Sequence, residues 1–212
     1  MDSLTTIFLG SFIVGFSGAA MPGPMLAVVI RESAARGIMA GPLVVVGHAL
    51  LEVATFAAIL GGLGAYMSKP LFFGLTGLIG GSIIILMGLG MLKALPDLTL
   101  DVEGAPNLGM NPVVGGVVTS LSNPYFPLWW ATAGLTLMGQ AAQRGAPGQA
   151  AFFSGHLISD FVWYTLVSTL FTLGRSLVTP TRYRWLVGLL ALMLIGFGLH
   201  FALEGSKRLL GI

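Results

Sequence analysis

Apolar residues fill six long runs of this chain, at about 4–30, 39–66, 71–92, 112–138, 149–173 and 183–203, with short polar breaks between them. Each is about 20 residues or more, the length a helix needs to cross roughly 30 Å of hydrocarbon at 1.5 Å per residue. A transmembrane barrel would show segments near ten residues with alternating polarity, and these runs do not alternate. One long polar stretch, about 94–111, carries Pro96, Asp97, Asp101, Glu103 and Pro106. The pattern predicts an all-α integral membrane protein of six transmembrane helices: a first three-helix unit at 1–95, a polar linker at 96–110 and a second three-helix unit at 111–212.

Composition agrees, with 55% hydrophobic and only 8% charged residues, against roughly 25% charged in soluble domains. The net charge of +2 is small, and the basic residues are scattered at helix ends rather than gathered in a patch, which excludes nucleic acid as a partner. With no cysteine, thiol redox chemistry, iron–sulfur ligation and disulfides are excluded. No basic run precedes the first segment, whose first charge is Asp2, so that segment is expected to stay as a membrane helix.

The chain repeats itself at an offset of 108, pairing Arg36-Gly37 with Arg144-Gly145, Gly47-His48 with Gly155-His156, and Ser68 with Ser176. The match continues through Gly80/Gly188, Gly88/Gly196 and Gly90/Gly198. Three helices per repeat is an odd number, so the second copy enters the membrane from the opposite side. The halves are then expected to be inverted repeats related by an axis in the membrane plane, as in many secondary transporters. The face bearing Arg31, Arg36, Lys93, Arg175, Arg182 and Arg184 is slightly more basic than the one bearing Lys69, Arg144, Lys207 and Arg208. That leans both termini outside the cytoplasm.

Within the repeat stands the chemistry. Gly47-His48 is followed by Glu52, and Gly155-His156 by Asp160, each acid one turn beyond its histidine. On helices, His48, Glu52 and Thr55 form one stripe and His156, Asp160 and Trp163 its counterpart. A carboxylate at the bilayer centre costs about 2.5–3.5 kcal/mol on insertion scales, so it must face a partner, the bundle interior or water. A histidine beside an acid holds or releases one proton near neutral pH, which suits proton coupling; the acid also suits a substrate ammonium. The plainer alternative is that each histidine bonds its own acid and only ties helices together.

A second constellation is backbone. Pro22-Gly23-Pro24 interrupts the first span, and Asn123-Pro124, followed by Pro127, interrupts the fourth. Such breaks free carbonyls that lipid cannot satisfy, and they persist where protein or a cavity supplies partners. Lying in the first helix of each half, they are expected to be discontinuous helices whose ends face a substrate. The glycines Gly74, Gly77, Gly80, Gly81, Gly88 and Gly90 of the third run, with Gly188, Gly196 and Gly198 of the sixth, read as helix packing. Trp129 and Trp130 suit either the membrane interface or a cavity wall. Met21 and Met25 stand beside the first break, and the other methionines read as apolar filler.

Gly18-Ala-Ala-Met-Pro22-Gly23-Pro24, then Gly37 and Gly41, then Gly47 with Glu52 downstream, resembles the amino-terminal signature of the lysine-exporter (LysE/RhtB) family of amino-acid efflux permeases. Asn123-Pro124 with aromatics after it resembles the element opening that family's second half. Leu51 stands where the family often has glycine, Glu52 replaces its usual aspartate, Met25 a frequently polar residue, and Tyr125 a common lysine. The resemblance implies a secondary exporter of amino acids or related metabolites, driven by protons, in a prokaryotic cytoplasmic membrane. It supports Glu52 and Asp160 more than His48 and His156. The expected partners are a small-molecule substrate, protons, the lipid bilayer and a second copy in a homodimer.

No cofactor, resident metal or enzymatic activity is expected, and no Walker sequence points to ATP-driven transport. One competing reading makes His48, Glu52, His156 and Asp160 the cargo site of a divalent-metal transporter, since imidazole and carboxylate suit zinc or manganese. Another makes them the catalytic metal site of an intramembrane enzyme, against which neither copy shows His-Glu-x-x-His.

Overall fold

The apolar runs become ten helices in the computed structural model, which describes residues 3–21, 23–67, 69–97, 111–174 and 179–211; no strand occurs among them. Several expectations therefore lie outside the described residues: Pro22, Arg175, the pair Ser68/Ser176, and most of the linker.

The first run divides into α1 (Leu4–Ala19) and α2 (Pro24–Arg36). Ser3 caps α1 by accepting from the Thr6 amide at 3.0 Å, and Gly23 precedes α2 in extended backbone with Pro24 at its first position, where the missing N–H costs nothing. The axes of α1 and α2 differ by 80°. The second run is α3 (Ala40–Ala58) and α4 (Gly64–Met67), joined through the widened turn Ile59–Leu63. Gly62 sits there at φ +114, a conformation that a side chain would strain. The third run is α5 (Pro70–Ala94).

The second half opens with α6 (Pro112–Ser122), capped by Asn111, whose Oδ1 accepts from the Val113 amide at 2.9 Å. It stops at Asn123, and α7 (Tyr125–Trp129), a wide turn Trp130–Gly134 and α8 (Leu135–Ala142) follow. Then come α9 (Gly145–Leu173) and α10 (Pro180–Leu210). By length and apolarity, Gly37–Met67, Pro70–Asp97 and Arg184–Leu210 each suffice to cross a membrane, and the bent α1–α2 pair makes a fourth such span. Six spans were expected. The fourth run is split at Asn123, and α9, although 29 residues long, is made more polar by Gln149, Ser154, His156, Ser159 and Asp160.

Polarity is turned inside out relative to a soluble protein. Glu52, Asp160, His156, Ser159 and Ser168 are buried, while Leu86, Leu121, Leu173, Leu189 and Leu203 lie on the outside. With little hydrophobic drive between helices in lipid, close packing must come from small residues and interhelical hydrogen bonds. Three helix pairs do this. α1 lies along α9, α6 along α3, and α5 along α10. In the first pair Ser11 Oγ donates to the Phe152 carbonyl at 2.6 Å, and Gly155 lies against the Phe8 carbonyl. In the second, Gly116 meets the Val44 carbonyl and Gly47 the Val113 carbonyl. Ser11 and Gly116 are 105 positions apart, and so are Phe8 and Val113; Val44 and Phe152, like Gly47 and Gly155, are 108 apart. The two pairs therefore use matching positions.

The α5–α10 seam corrects one detail of the repeat. Gly81 abuts Gly198 and Ala202, and Gly74 and Gly77 abut Gly205, whereas Gly90 and Gly196 face open space and Gly188 meets only a Leu95 methyl group. Gly80 packs on Leu128 of α7 instead. The 108 offset that matches the second helices does not carry the packing face of the third.

A Cβ at Gly47 or Gly116 has no room against the facing carbonyl. Gly47→Ala or Gly116→Ala should each lower stability by about 1–3 kcal/mol, and Gly90→Ala should not. Thermal unfolding in detergent, followed by size-exclusion chromatography, checks the contrast.

Candidate functional site

His48 and Glu52 lie one turn apart on α3, His156 and Asp160 one turn apart on α9, and the packing of these helices brings all four side chains together. Glu52, His156 and Asp160 are buried; the His48 side chain keeps 14% exposure. The shortest link crosses between helices: His156 Nε2 stands 2.6 Å from Glu52 Oε1. The links within each helix are longer, 3.3 Å for His48 Nε2 to Glu52 Oε1 and 3.9 Å for His156 Nε2 to Asp160 Oδ2. His48 Nε2 reaches Asp160 Oδ2 at 4.0 Å. Both imidazoles thus turn Nε2 toward one carboxylate oxygen, which sets aside the picture of two separate histidine–acid ties.

Aromatic rings hold the imidazoles in place. Trp129 stacks on His156 at 4.1 Å between centroids, Trp130 approaches it edge-on at 5.6 Å, and Phe126 approaches His48 edge-on at 5.7 Å. Ser120 of α6 lies 2.6 Å from His48 Nδ1. Glu52 Oε2, Asp160 Oδ2 and His156 Nδ1 are buried with no hydrogen-bond partner among the described residues. An unpartnered buried oxygen of this kind costs about 1–3 kcal/mol or more, a cost that an incoming cation or proton relieves.

These groups border a cavity of about 50 Å³, room for a few water-sized groups. Gly18, Ala19, Met21, Gly23, Met25, Asn123, Tyr125 and Tyr164 also line it, and among the described residues no lysine or arginine does. Gly23 at the start of α2 and Asn123 at the end of α6 come within reach of each other: a Cβ on Gly23 would lie 3.5 Å from Asn123 Nδ2. Asn123 Oδ1 accepts from the Tyr125 amide at 3.1 Å, leaving Nδ2 as its donor.

Of the sequence candidates, His48, Glu52, His156, Asp160, Gly23 and Asn123 line the cavity. Pro24 opens α2 without lining it, and Pro124 borders a different groove with Tyr66 and Lys69. The proposed stripes end at the acids: Thr55 Oγ1 donates to the Leu51 carbonyl of its own helix, and Trp163 packs on Phe16. Trp129, Trp130, Met21 and Met25 prove to be cavity residues. Sequence reasoning missed Ser120 and Tyr164. Ser120 stands one turn before Asn123 on α6, and that position relative to the break was the available signal.

His48, Glu52 and Asp160 bring potential ligand atoms within 4.8 Å of one another. The 2.6 Å pair, His156 Nε2 with Glu52 Oε1, lies outside that set, and the metal-cargo reading is not favoured.

A family model described as LysE type translocator matches residues 16–205. The chain belongs to the LysE type translocator family. This translocator is 25% identical over 209 residues to the "Putative amino acid efflux protein YcgF" of Bacillus subtilis, an alignment covering 97% of this chain and 99% of that one. It is also 28% identical over 170 residues to the "Chemotactic transduction protein ChpE" of Pseudomonas aeruginosa, covering 76% and 79%. No solved structure matches it. Family membership makes the LysE type translocator an integral membrane transporter and not an enzyme.

A solute entering the cavity meets Trp129 and Trp130, whereas Trp185 is 77% exposed on α10. Transported solutes should therefore change tryptophan emission in wild type and in Trp185→Phe, and the change should vanish when Trp129 and Trp130 are both replaced by Phe. Fluorescence titration of purified protein measures this.

Proposed function

We propose that this translocator exports amino acids or related small metabolites across a prokaryotic cytoplasmic membrane in exchange for protons. The observation that carries the reading is the pair of buried carboxylates, Glu52 and Asp160, facing a cavity that no lysine or arginine lines among the described residues. Their partners are histidines, which can give up a proton, so the charge on the site is adjustable.

A substrate ammonium and a proton then compete for the same oxygens. When the site takes up a proton the ammonium loses its counter-ion and leaves; when the proton departs, the next ammonium binds. Mutual exclusion at one site is sufficient for exchange if the cavity opens to one side at a time. The substrate carboxylate is received at the other wall, where Gly23 leaves the first amides of α2 without a side-chain cap and Asn123 offers Nδ2, the positive end of a helix dipole adding to the attraction. The name of the Bacillus subtilis relative favours an amino acid as cargo.

Alternating access is supplied by two inverted three-helix halves, 1–95 and 111–212, joined by the linker 96–110 and crossing the membrane six times. The matched contacts of α1 with α9 and of α6 with α3 support that arrangement, as do the 80° break in the first helix and the break at Asn123 in the fourth.

In proteoliposomes under an imposed pH gradient, Glu52→Gln and Asp160→Asn should each cut amino-acid flux at least about 100-fold, because each removes a charge that pairs with ammonium or proton. Both should keep a wild-type elution profile. Wild-type flux in both variants would overturn the reading.

A further inference from the structure

The two histidines occupy equivalent places in the repeat, yet their surroundings assign them opposite tautomers. Ser120 Oγ stands 2.6 Å from the Gly116 carbonyl and 2.6 Å from His48 Nδ1. A hydroxyl has one proton, and a carbonyl oxygen can only accept. If the proton pointed at Nδ1, two oxygens would face each other at 2.6 Å with nothing between them. The proton therefore goes to Gly116, and His48 Nδ1 must carry a hydrogen that it donates to Ser120. Neutral His48 is then bare at Nε2, the nitrogen it turns toward Glu52 at 3.3 Å and Asp160 at 4.0 Å.

His156 is wired the other way. Its Nε2 lies 2.6 Å from Glu52 Oε1 and donates to it, while Nδ1 is buried without a partner. The residue that matches Ser120, 105 positions earlier, is Gly15. Even a bare Cβ there would come within 2.7 Å of His156 Nδ1 and would overlap Ser159 Oγ, so no hydroxyl can be supplied. Trp129 stacks on one face of the ring and Phe152 lies parallel to it at 6.4 Å.

We infer that His48 is the proton-carrying histidine of this site, that His156 is a fixed donor to Glu52, and that Ser120 is the positioning residue that makes the difference. With His156 filling Glu52 Oε1, the lone pair on His48 Nε2 faces an oxygen that is already an acceptor. One added proton at Nε2 turns that clash into a hydrogen bond to Glu52 and places a positive charge beside Asp160. Around His48 the ionisable groups are Glu52 on its own helix, His156, Asp160 and Tyr164 on α9, and Tyr125 on α7. Among the described residues no lysine or arginine lines the cavity to supply that charge in its stead. The assignment of carrier and donor rests on the proton-exchange reading; the tautomers do not.

The test is nitrogen-15 NMR of histidine-labelled full-length protein in lipid nanodiscs, at a pH where the imidazoles are neutral, with His48→Gln and His200→Gln assigning the signals. His48 should carry its proton on Nδ1 and His156 on Nε2. The same tautomer in both, or Nε2–H at His48, overturns the proposal. In Ser120→Ala, neutral His48 is free to place its hydrogen on Nε2 and donate to Glu52, which stabilises its neutral form. Its tautomer should switch, and the pH profile of flux should move toward lower pH by roughly half a unit or more. Ser120→Thr, which keeps the hydroxyl, should restore both. An unchanged tautomer and profile in Ser120→Ala also overturns it. Should Ser120→Ala fail to insert, the wild-type spectrum still decides. Should the spectra agree while no variant or wild type shows proton-linked flux, the transport reading fails and the tautomer assignment stands.

Discussion

One carboxylate oxygen, Glu52 Oε1, draws together the parts of this molecule that matter for transport. A buried charge in a membrane protein survives only with partners, and the partners here come from both halves of the chain: His48 from the same helix, His156 from α9. To deliver His156 to within 2.6 Å, α3 and α9 must hold a fixed separation and rotation. That requirement runs outward. α9 is set by α1, through Ser11 on the Phe152 carbonyl and Gly155 on the Phe8 carbonyl; α3 is set by α6, through Gly47 and Gly116 on facing carbonyls. In lipid, where apolar surface gains nothing by turning inward, such backbone-to-backbone approaches supply the dispersion contact that a soluble core obtains from large side chains.

The glycine seams and the acid site are thus one construction. A methyl group at Gly47 would push α6 away from α3, and α6 carries Ser120, whose oxygen fixes the His48 ring. It also carries Asn123 at its end, placing the amide beside Gly23 and the start of α2. The break in each first helix follows from the same geometry. α1 and α6 must pack tightly on the opposite half, and the chain must then turn to close the cavity with α2 and α7. At those corners Gly23 takes extended backbone and Asn123 caps the next turn with its side chain.

Much of this was legible in the chain, because the determinants are local. Two Gly-His-x-x-x-acid runs in apolar surroundings mark the buried charges, and Pro-Gly-Pro and Asn-Pro mark the breaks. What was not legible required distances across the bundle. Spacing along one helix suggests that each histidine serves its own acid, yet the tightest bond joins His156 to Glu52. The single offset of 108 aligns the second helices but not the first, which match at 105, so Ser120 and Gly15 could not be paired by sliding the sequence. Nor could it separate Gly198, pressed on Gly81, from Gly196, which faces open space. Pro124 shows the same limit: its effect on the backbone is local and readable, but its ring lies in another groove.

In the proposed two-halved arrangement, departure from symmetry is useful. Two identical halves would hold two identical histidines, each wanting the same oxygen through the same nitrogen with the same hydrogen. Glu52 Oε1 can satisfy both only if both donate, and the site would then be full, with no place for a further proton. A serine in one half and a glycine in the other removes the degeneracy by fixing one hydrogen on the far side of one ring. The gap so created lies between Glu52 and Asp160, where the proposed exchange would also place an ammonium. Under that proposal the site accepts either a proton or a cation, and it needs such a gap beside charge that is otherwise nearly satisfied. The smallest change that produces it is the presence of one hydroxyl group at Ser120 and its exclusion at Gly15.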